Sequence, residues 1–258
     1  APTPDGFRGQ DTDFDGFLAT LEHNGVQPEN VAGVILETYL GGTAILLPKD
    51  YMQKLRNFCD EHHALLIFDE VQAGFGRCGK MWGFEHYDVR ADMIACGKGI
   101  GSGLPISAVI GNSEWMDTFP PGSMTSTHTG NPICCAAALA NIKKVVEGGL
   151  IENAARLESV LRDRVEAIQE KYPDRVGKVA ATGLVAAIQM VPEHGSLESD
   201  HDSAFDVVKY AVEHGLMLFA PVGWGGGTVK LSPPLSITEE QLSEGMDVLD
   251  SAFAAVCV

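Results

Sequence analysis

At 258 residues the chain is longer than one typical domain of about 150 residues and can bury roughly three quarters of its unfolded surface without disulfide or metal staples. A composition of 45% hydrophobic and 21% charged residues is that of a globular protein and excludes a disordered chain. Eighteen Lys and Arg against 35 Asp and Glu leave a formal charge of −17, a field that repels phosphate backbones and argues against nucleic-acid or anionic-membrane partners.

No apolar run reaches the roughly 18 residues of a membrane-spanning helix, and the opening APTPDGFRGQ has neither the basic start nor the apolar centre of a signal peptide. Six cysteines (Cys59, Cys78, Cys96, Cys134, Cys135 and Cys257) show no CxxC or zinc spacing, and two are adjacent. They read as reduced thiols of a cytoplasmic protein, with no metal site.

Short apolar runs alternate with amphipathic stretches over the first 150 residues. Residues 31–36 read as a buried strand, and 49–63 as a helix with Tyr51, Leu55 and Phe58 on one face. Residues 64–68 and 106–110 are the next strands, and the alternation predicts βαβ units with a mostly parallel sheet. Asn131 and Pro132 make an N-cap and first-turn pair for a helix that Gly148 and Gly149 close. A long helix then carries Ala154, Leu157, Leu161, Val165 and Ile168 at helical spacing and stops before Pro173. Strands are expected over 184–191 and 216–220, with a helix over 203–214 between them. The glycine run at 223–227 reads as flexible. Thr238 and Gln241 form a capping box for a last helix with Leu242, Met246, Leu249 and Phe253 on its buried stripe.

Three segments could carry chemistry. The strand ALLIFDE ends in Asp69 and Glu70, and ligands of open α/β sheets collect at the carboxyl ends of strands. If the extended backbone continues, Asp69 and Val71 face one side and Glu70 the other. In ACGKGIGSGLP, Lys98 lies between glycines and among small or apolar neighbours, unlike an ordinary surface lysine; a desolvated amine of this kind forms Schiff bases. SMTSTHTGNP is a hydroxyl-rich turn leading into a helix start, which suits a phosphate as well as an ordinary cap. A GxxxxGK match at Gly74, Gly79 and Lys80 is discounted as a nucleotide loop, because Met81 stands where a magnesium-binding hydroxyl belongs and no strand leads into the loop.

Together, LLIFDEVQAGFGRCGKMWGFEHYDVRADMIACGKGIGSGLPISAVIG, STHTGNP and PPLSITEEQL resemble the class III (omega-type) aminotransferases, GABA-transaminase-like pyridoxal-phosphate enzymes of fold type I. The resemblance spans essentially the whole chain and implies the C-terminal portion of such an enzyme. On that reading, residues 1–150 are an incomplete, large, mixed or mostly parallel α/β domain whose N-terminal part is missing, and 151–258 are a small α+β domain. The family's glycine–serine phosphate cup and ring-stacking aromatic would lie in the missing part. The chain alone would then bind the cofactor weakly.

The resemblance also assigns roles. Lys98 would form the Schiff base with pyridoxal 5'-phosphate and carry a proton, and Asp69 would hold the pyridine nitrogen protonated. Val71 would pack on the ring, Gln72 would bond its hydroxyl oxygen, and Thr127 would reach the phosphate of a neighbouring subunit in a homodimer. An amino group would pass from a small amino donor, an omega-amino acid or related amine, to an oxo acid in two ping-pong halves. Lys230 replaces the family's substrate-carboxylate arginine and cannot offer its bidentate fork, and Glu37, that arginine's partner, is expected to pair with Lys230. Alternatives are an amino-acid racemase or epimerase using the same Lys98 and Asp69, and a truncated, catalytically silent module.

Overall fold

A computed structural model describes residues 1–9 and 11–257. Its first sheet contains four strands. Strand β1 (Gly33–Glu37) and β4 (Leu65–Asp69) are parallel, β4 and β5 (Met93–Cys96) are parallel, and β6 (Ala108–Gly111) closes the edge antiparallel to β5. Helix α2 (Lys49–Glu61) covers one face, where Met52, Leu55 and Phe58 meet Leu66 and Phe68 of β4 in one core with Phe17 of α1 (Phe14–His23). Leu65, Ile67 and Asp69 lie on the other face by the two-residue alternation of a strand. That face is poorly covered: Ile35 is 64% and Val109 54% exposed.

Between β1 and α2 the chain makes a short hairpin, β2 (Tyr39–Leu40) with β3 (Ile45–Leu46). After β6 come the one-turn helix α3 (Ser113–Met116) and the exposed stretch leading to α4 (Pro132–Glu147). Asn131 caps α4 as its sequence predicts, its side chain accepting from the Ile133 and Cys134 amides at 3.0 and 3.3 Å. Gly149, at φ +69°, breaks the chain into α5 (Leu150–Lys171).

The second core surrounds the antiparallel sheet β7 (Val176–Thr182), β8 (Val185–Met190) and β9 (Thr228–Leu231). Helices α5, α6 (His201–Glu213) and α7 (Glu239–Val256) cover one face with the stripes read from the sequence. Every residue of β8 is buried, because its other face, with Val185 and Ala187, packs on Tyr39, Ala73 and Cys78 from the first half. Both halves of the Thr238–Gln241 capping box form, at 3.1 and 3.2 Å.

The β7–β8 turn is a close main-chain joint between the two halves of the chain. Gly183 has φ +55°, and a Cβ there would stand 2.5 Å from the Arg77 carbonyl, the Cys78 carbonyl carbon and the Gly79 nitrogen. Only glycine fits. Arg77 adds hydrogen bonds from Nη1 to the Leu184 and Pro233 carbonyls (2.7 and 2.6 Å), and the Leu184 amide donates back to the Arg77 carbonyl at 3.0 Å.

Two sequence expectations are corrected. Residues 216–220 form no strand: Met217 is 91% exposed, and the segment makes no ladder with the edge strand β9, the chain bridging to it only afterwards, at Val222 and Thr228. The glycine run at 223–227 is a 3₁₀ turn held by Ser199 and His201, with Gly223, Gly225 and Gly226 at positive φ. Sequence periodicity also missed α1, β5, β7 and β9.

Leu161 is fully buried at the centre of the second core. Leu161→Ala is expected to lower unfolding free energy in urea by about 2–5 kcal/mol, while exposed Glu166→Ala changes it by no more than about 0.5 kcal/mol.

Candidate active site

Strand β4 stops at Asp69, and the loop that follows is shaped by Glu70. This side chain is fully buried, and its carboxylate accepts from the Gly83 and Phe84 amides, both at 2.8 Å, while its own amide donates to the Ala95 carbonyl on β5 at 2.8 Å. Burial lifts its carboxyl above the ordinary value, and the two amide donors oppose that rise. With Glu70 turned inward, Val71, Gln72, Phe75 and Arg77 come to line a cavity of about 380 Å³, with Lys98, Gly99, Asn141 and Tyr39 on its other sides.

Lys98 opens the turn after β5 at φ +37°, a conformation that costs a non-glycine residue energy and is concentrated at functional sites. Asn141 of α4 braces that turn, its Nδ2 donating to the Gly99 carbonyl at 2.6 Å. The expectation of a desolvated Lys98 is corrected: its side chain is exposed at the mouth of the cavity. The flanking glycine is explained by protein packing, since a Cβ on Gly99 would press on Phe75 at 3.2 Å.

Of the other candidates, Asp69 is half-buried at the end of β4, where its Oδ1 accepts from the Val71 amide at 3.0 Å. Val71 packs against Gly97, beside Lys98. The Oε1 of Gln72 accepts from the Tyr39 hydroxyl at 3.3 Å and from the Lys230 ammonium. Thr127 is brought into no contact with these groups; it lies in an exposed turn closed by a Ser126–Thr129 hydroxyl pair at 2.7 Å.

Glu37 and Lys230 do approach one another but form no ion pair, which corrects the expected pairing. The Glu37 Oε2 accepts from the Gly41 amide at 2.9 Å, and the Lys230 Nζ donates to the carbonyl of the same glycine and to Gln72. Burial drives the Lys230 amine down to about 8; Glu37 pulls it up, while Lys98 and Arg77 push it further down. Two residues missed by the sequence reading also shape the cavity. Tyr39 hides behind an apolar-looking TYLGG run, and burial raises its phenol. Arg77 is bonded only to main-chain carbonyls, and burial lowers its guanidinium. A charged residue inside a glycine-rich loop was the available signal for Arg77.

An exposed amine on a strained turn, a carboxylate at the strand end, an apolar valine and a donor amide make a set suited to capturing a carbonyl compound and stabilising charge beside it. The nucleotide-loop reading has no support here: Lys80 donates to the Glu85 carbonyl at 2.9 Å. Among the described residues no cluster suits a metal, and no helix is long and apolar enough to cross a membrane.

The family model for aminotransferase class-III matches residues 10–253. The chain is 37% identical over 230 residues to isoleucine 2-epimerase of Lentilactobacillus buchneri, covering 88% of this chain and 50% of that protein. It is 34% identical over 231 residues to a probable 4-aminobutyrate aminotransferase of Bacillus subtilis, covering 89% and 52%. Among solved structures, an ornithine aminotransferase of Toxoplasma gondii, described with PLP at its active site, superposes with a TM-score of 0.83 at 28% identity, over 95% of this chain and 55% of that one. The chain spans about half the length of the curated relatives it matches.

Two measurements probe this geometry. Glu70→Gln offers one oxygen to two buried amides and turns an NH₂ toward the second, so it is expected to cost about 1–3 kcal/mol in urea denaturation. For Lys230, the folded chain releases a proton near pH 8 that the unfolded chain keeps to about 10.5. The penalty of the buried charge is therefore fully present below pH 8 and relieved as pH rises. Lys230→Met is expected to show a flatter Tm profile than wild type between pH 8 and 10; parallel profiles would mean that the amine is not desolvated.

Proposed function

The chain belongs to the aminotransferase class-III family, and on that footing we propose that it serves pyridoxal-5'-phosphate-dependent transfer of an amino group from a small amino donor, an omega-amino acid or related amine, to an oxo acid. The observation that carries this reading is the Lys98 amine, exposed on a strained turn at the mouth of the cavity that Val71 and Gln72 also line.

The residues fit the ring end of such a cofactor. Lys98 offers a nucleophilic amine for its carbonyl and Asp69 an acceptor for a protonated ring nitrogen. Val71 provides an apolar surface for one ring face, and the Nε2 of Gln72, with no partner among the described residues, is a donor for a ring oxygen. When bound, the cofactor supplies a carbonyl for amines and a cationic ring that draws electrons from the bond being broken. The Asp69 carboxylate would hold the proton on that ring. The Lys98 Nζ, once free, would take a proton from the amine-bearing carbon of the substrate and return it to the neighbouring position. An epimerase would use the same two residues, but a proton would return to the opposite face of the carbon that lost one. That second reading is favoured by the 37% identity to isoleucine 2-epimerase.

The phosphate end is served differently. Thr127 is the notable hydroxyl in an exposed turn, and it is available to the phosphate held by a second copy of the chain. A homodimer is further supported by apolar side chains left uncovered nearby, among them Val109, Phe119, Met124, Ile133 and Leu139. The six free cysteines fit a reducing cytoplasm. The division into residues 1–150 and 151–258 follows the two main cores, one around α2 and one around α5 to α7.

Borohydride treatment of the chain with pyridoxal phosphate should fix the cofactor on the Lys98 peptide, read by mass spectrometry, and Lys98→Ala should lose the label. Label on a different lysine would overturn the assignment. Incubation of L-isoleucine without an oxo acid separates the two readings, since only an epimerase inverts it with no net amino transfer.

A further inference from the structure

We propose that Lys230 is a positioning residue that locks the Gln72 side chain with Oε1 as the end facing its ammonium and Nε2 left as a free donor, and that its ammonium is not a substrate-carboxylate contact. Lys230 is 5% exposed and does not line the Lys98 cavity, whereas Gln72 and Tyr39 both do. Its ammonium reaches from β9 across the joint to the Gly41 carbonyl and Gln72 Oε1.

An ammonium has three donors and no acceptor, so the Gln72 atom facing it must be the oxygen. The Tyr39 hydroxyl donates to the same oxygen at 3.3 Å. A flipped amide would set NH₂ against a buried NH₃⁺ and would strand its oxygen on the side away from both donors. Nε2 is thereby left with no partner among the described residues, and it is not one of the sealed, unpartnered buried atoms.

The surrounding groups fit a fixed arrangement. Glu37 stabilises the charged amine from a distance and is itself occupied by the Gly41 amide, so one residue, Gly41, stands between carboxylate and ammonium with its N–H toward the first and its carbonyl toward the second. A Cβ on Gly41 would stand 2.6 Å from Gln72 Nε2 and 2.5 Å from Glu37 Oε1, so the approach of these two ends requires glycine. The orientation of Gln72 follows from the chain alone. Only the identity of what Nε2 meets, a cofactor oxygen, rests on the proposed function.

The test is made on the chain without cofactor, by NMR of the Gln72 side-chain amide, assigned through its loss in Gln72→Ala. Wild type and Lys230→Arg, which retains donors, should give two well-separated, slowly exchanging protons. In Lys230→Met the pair should collapse toward free-glutamine positions, and Tyr39→Phe should shift it in the same direction but less. A Gln72 pair unmoved in Lys230→Met or, should that variant not fold, unmoved in Tyr39→Phe overturns the lock. A second arm measures pyridoxal phosphate binding by tryptophan fluorescence. Lys230→Met should weaken binding about tenfold and Lys230→Arg by much less. If borohydride at saturating pyridoxal phosphate leaves Lys98 unlabelled while the Gln72 pair still responds, the functional reading fails and the lock stands. A Lys230→Met variant with an unmoved Gln72 pair and a raised KM for the oxo acid alone would instead make Lys230 a substrate contact.

Discussion

The buried carboxylate of Glu70 is the constraint from which the site follows. A charged group in the core is tolerated only when its oxygens are satisfied, and here two consecutive main-chain amides, Gly83 and Phe84, converge on it. Meeting that demand brings residue 83 back to the end of β4 and folds the intervening loop into a compact turn. Phe75 and Trp82 then meet edge-on at 5.0 Å inside the loop. Val71 and Gln72 are left facing the cavity because Glu70 cannot.

The opposite wall is assembled from distant segments. The β2–β3 hairpin contributes Tyr39 and Gly41, β9 contributes Lys230, and helix α4 braces the Lys98 turn through Asn141. Charge in this region is arranged through neutral groups: a carboxylate and an ammonium flank one glycine, and a guanidinium donates to two carbonyls. Such partners fix geometry without the full mutual neutralisation of a direct ion pair, which leaves the amine at Lys230 easier to discharge than an exposed lysine.

What could be read from the sequence divides along physical lines. Local signals were reliable: the Asn131–Pro132 helix start, the Thr238–Gln241 capping box and the buried stripe of α5 depend on residues a few positions apart. The acid-ended strand and the glycine-flanked lysine were visible for the same reason, and they do meet around one cavity in the case of Val71, Gln72 and Lys98. Properties set by tertiary surroundings were not legible. Leu216 to Ala220 has strand-like composition but forms no ladder in space, and Lys98 has apolar neighbours in sequence yet an exposed side chain in space. The Glu37 and Lys230 side chains were expected to pair as opposite charges; Gly41, adjacent to neither in sequence, takes both partners. Tyr39 and Arg77 escaped notice because their roles are defined by contacts more than thirty and one hundred residues away.

The joint at Gly183 has a further meaning for how such a protein can diverge. Its contacts are main chain against main chain, with the Arg77, Cys78 and Gly79 backbone on one side and the hairpin tip on the other. Apart from the glycine and Arg77, whose guanidinium reaches across to the Leu184 carbonyl, the closest approach depends on no side-chain identity. Amino-acid replacements can therefore accumulate on both surfaces over evolutionary time with little mutual adjustment. Insertions and deletions are another matter: one residue gained or lost in either turn would move a backbone with no slack, so a change of length at these two turns should cost more than most changes of side chain.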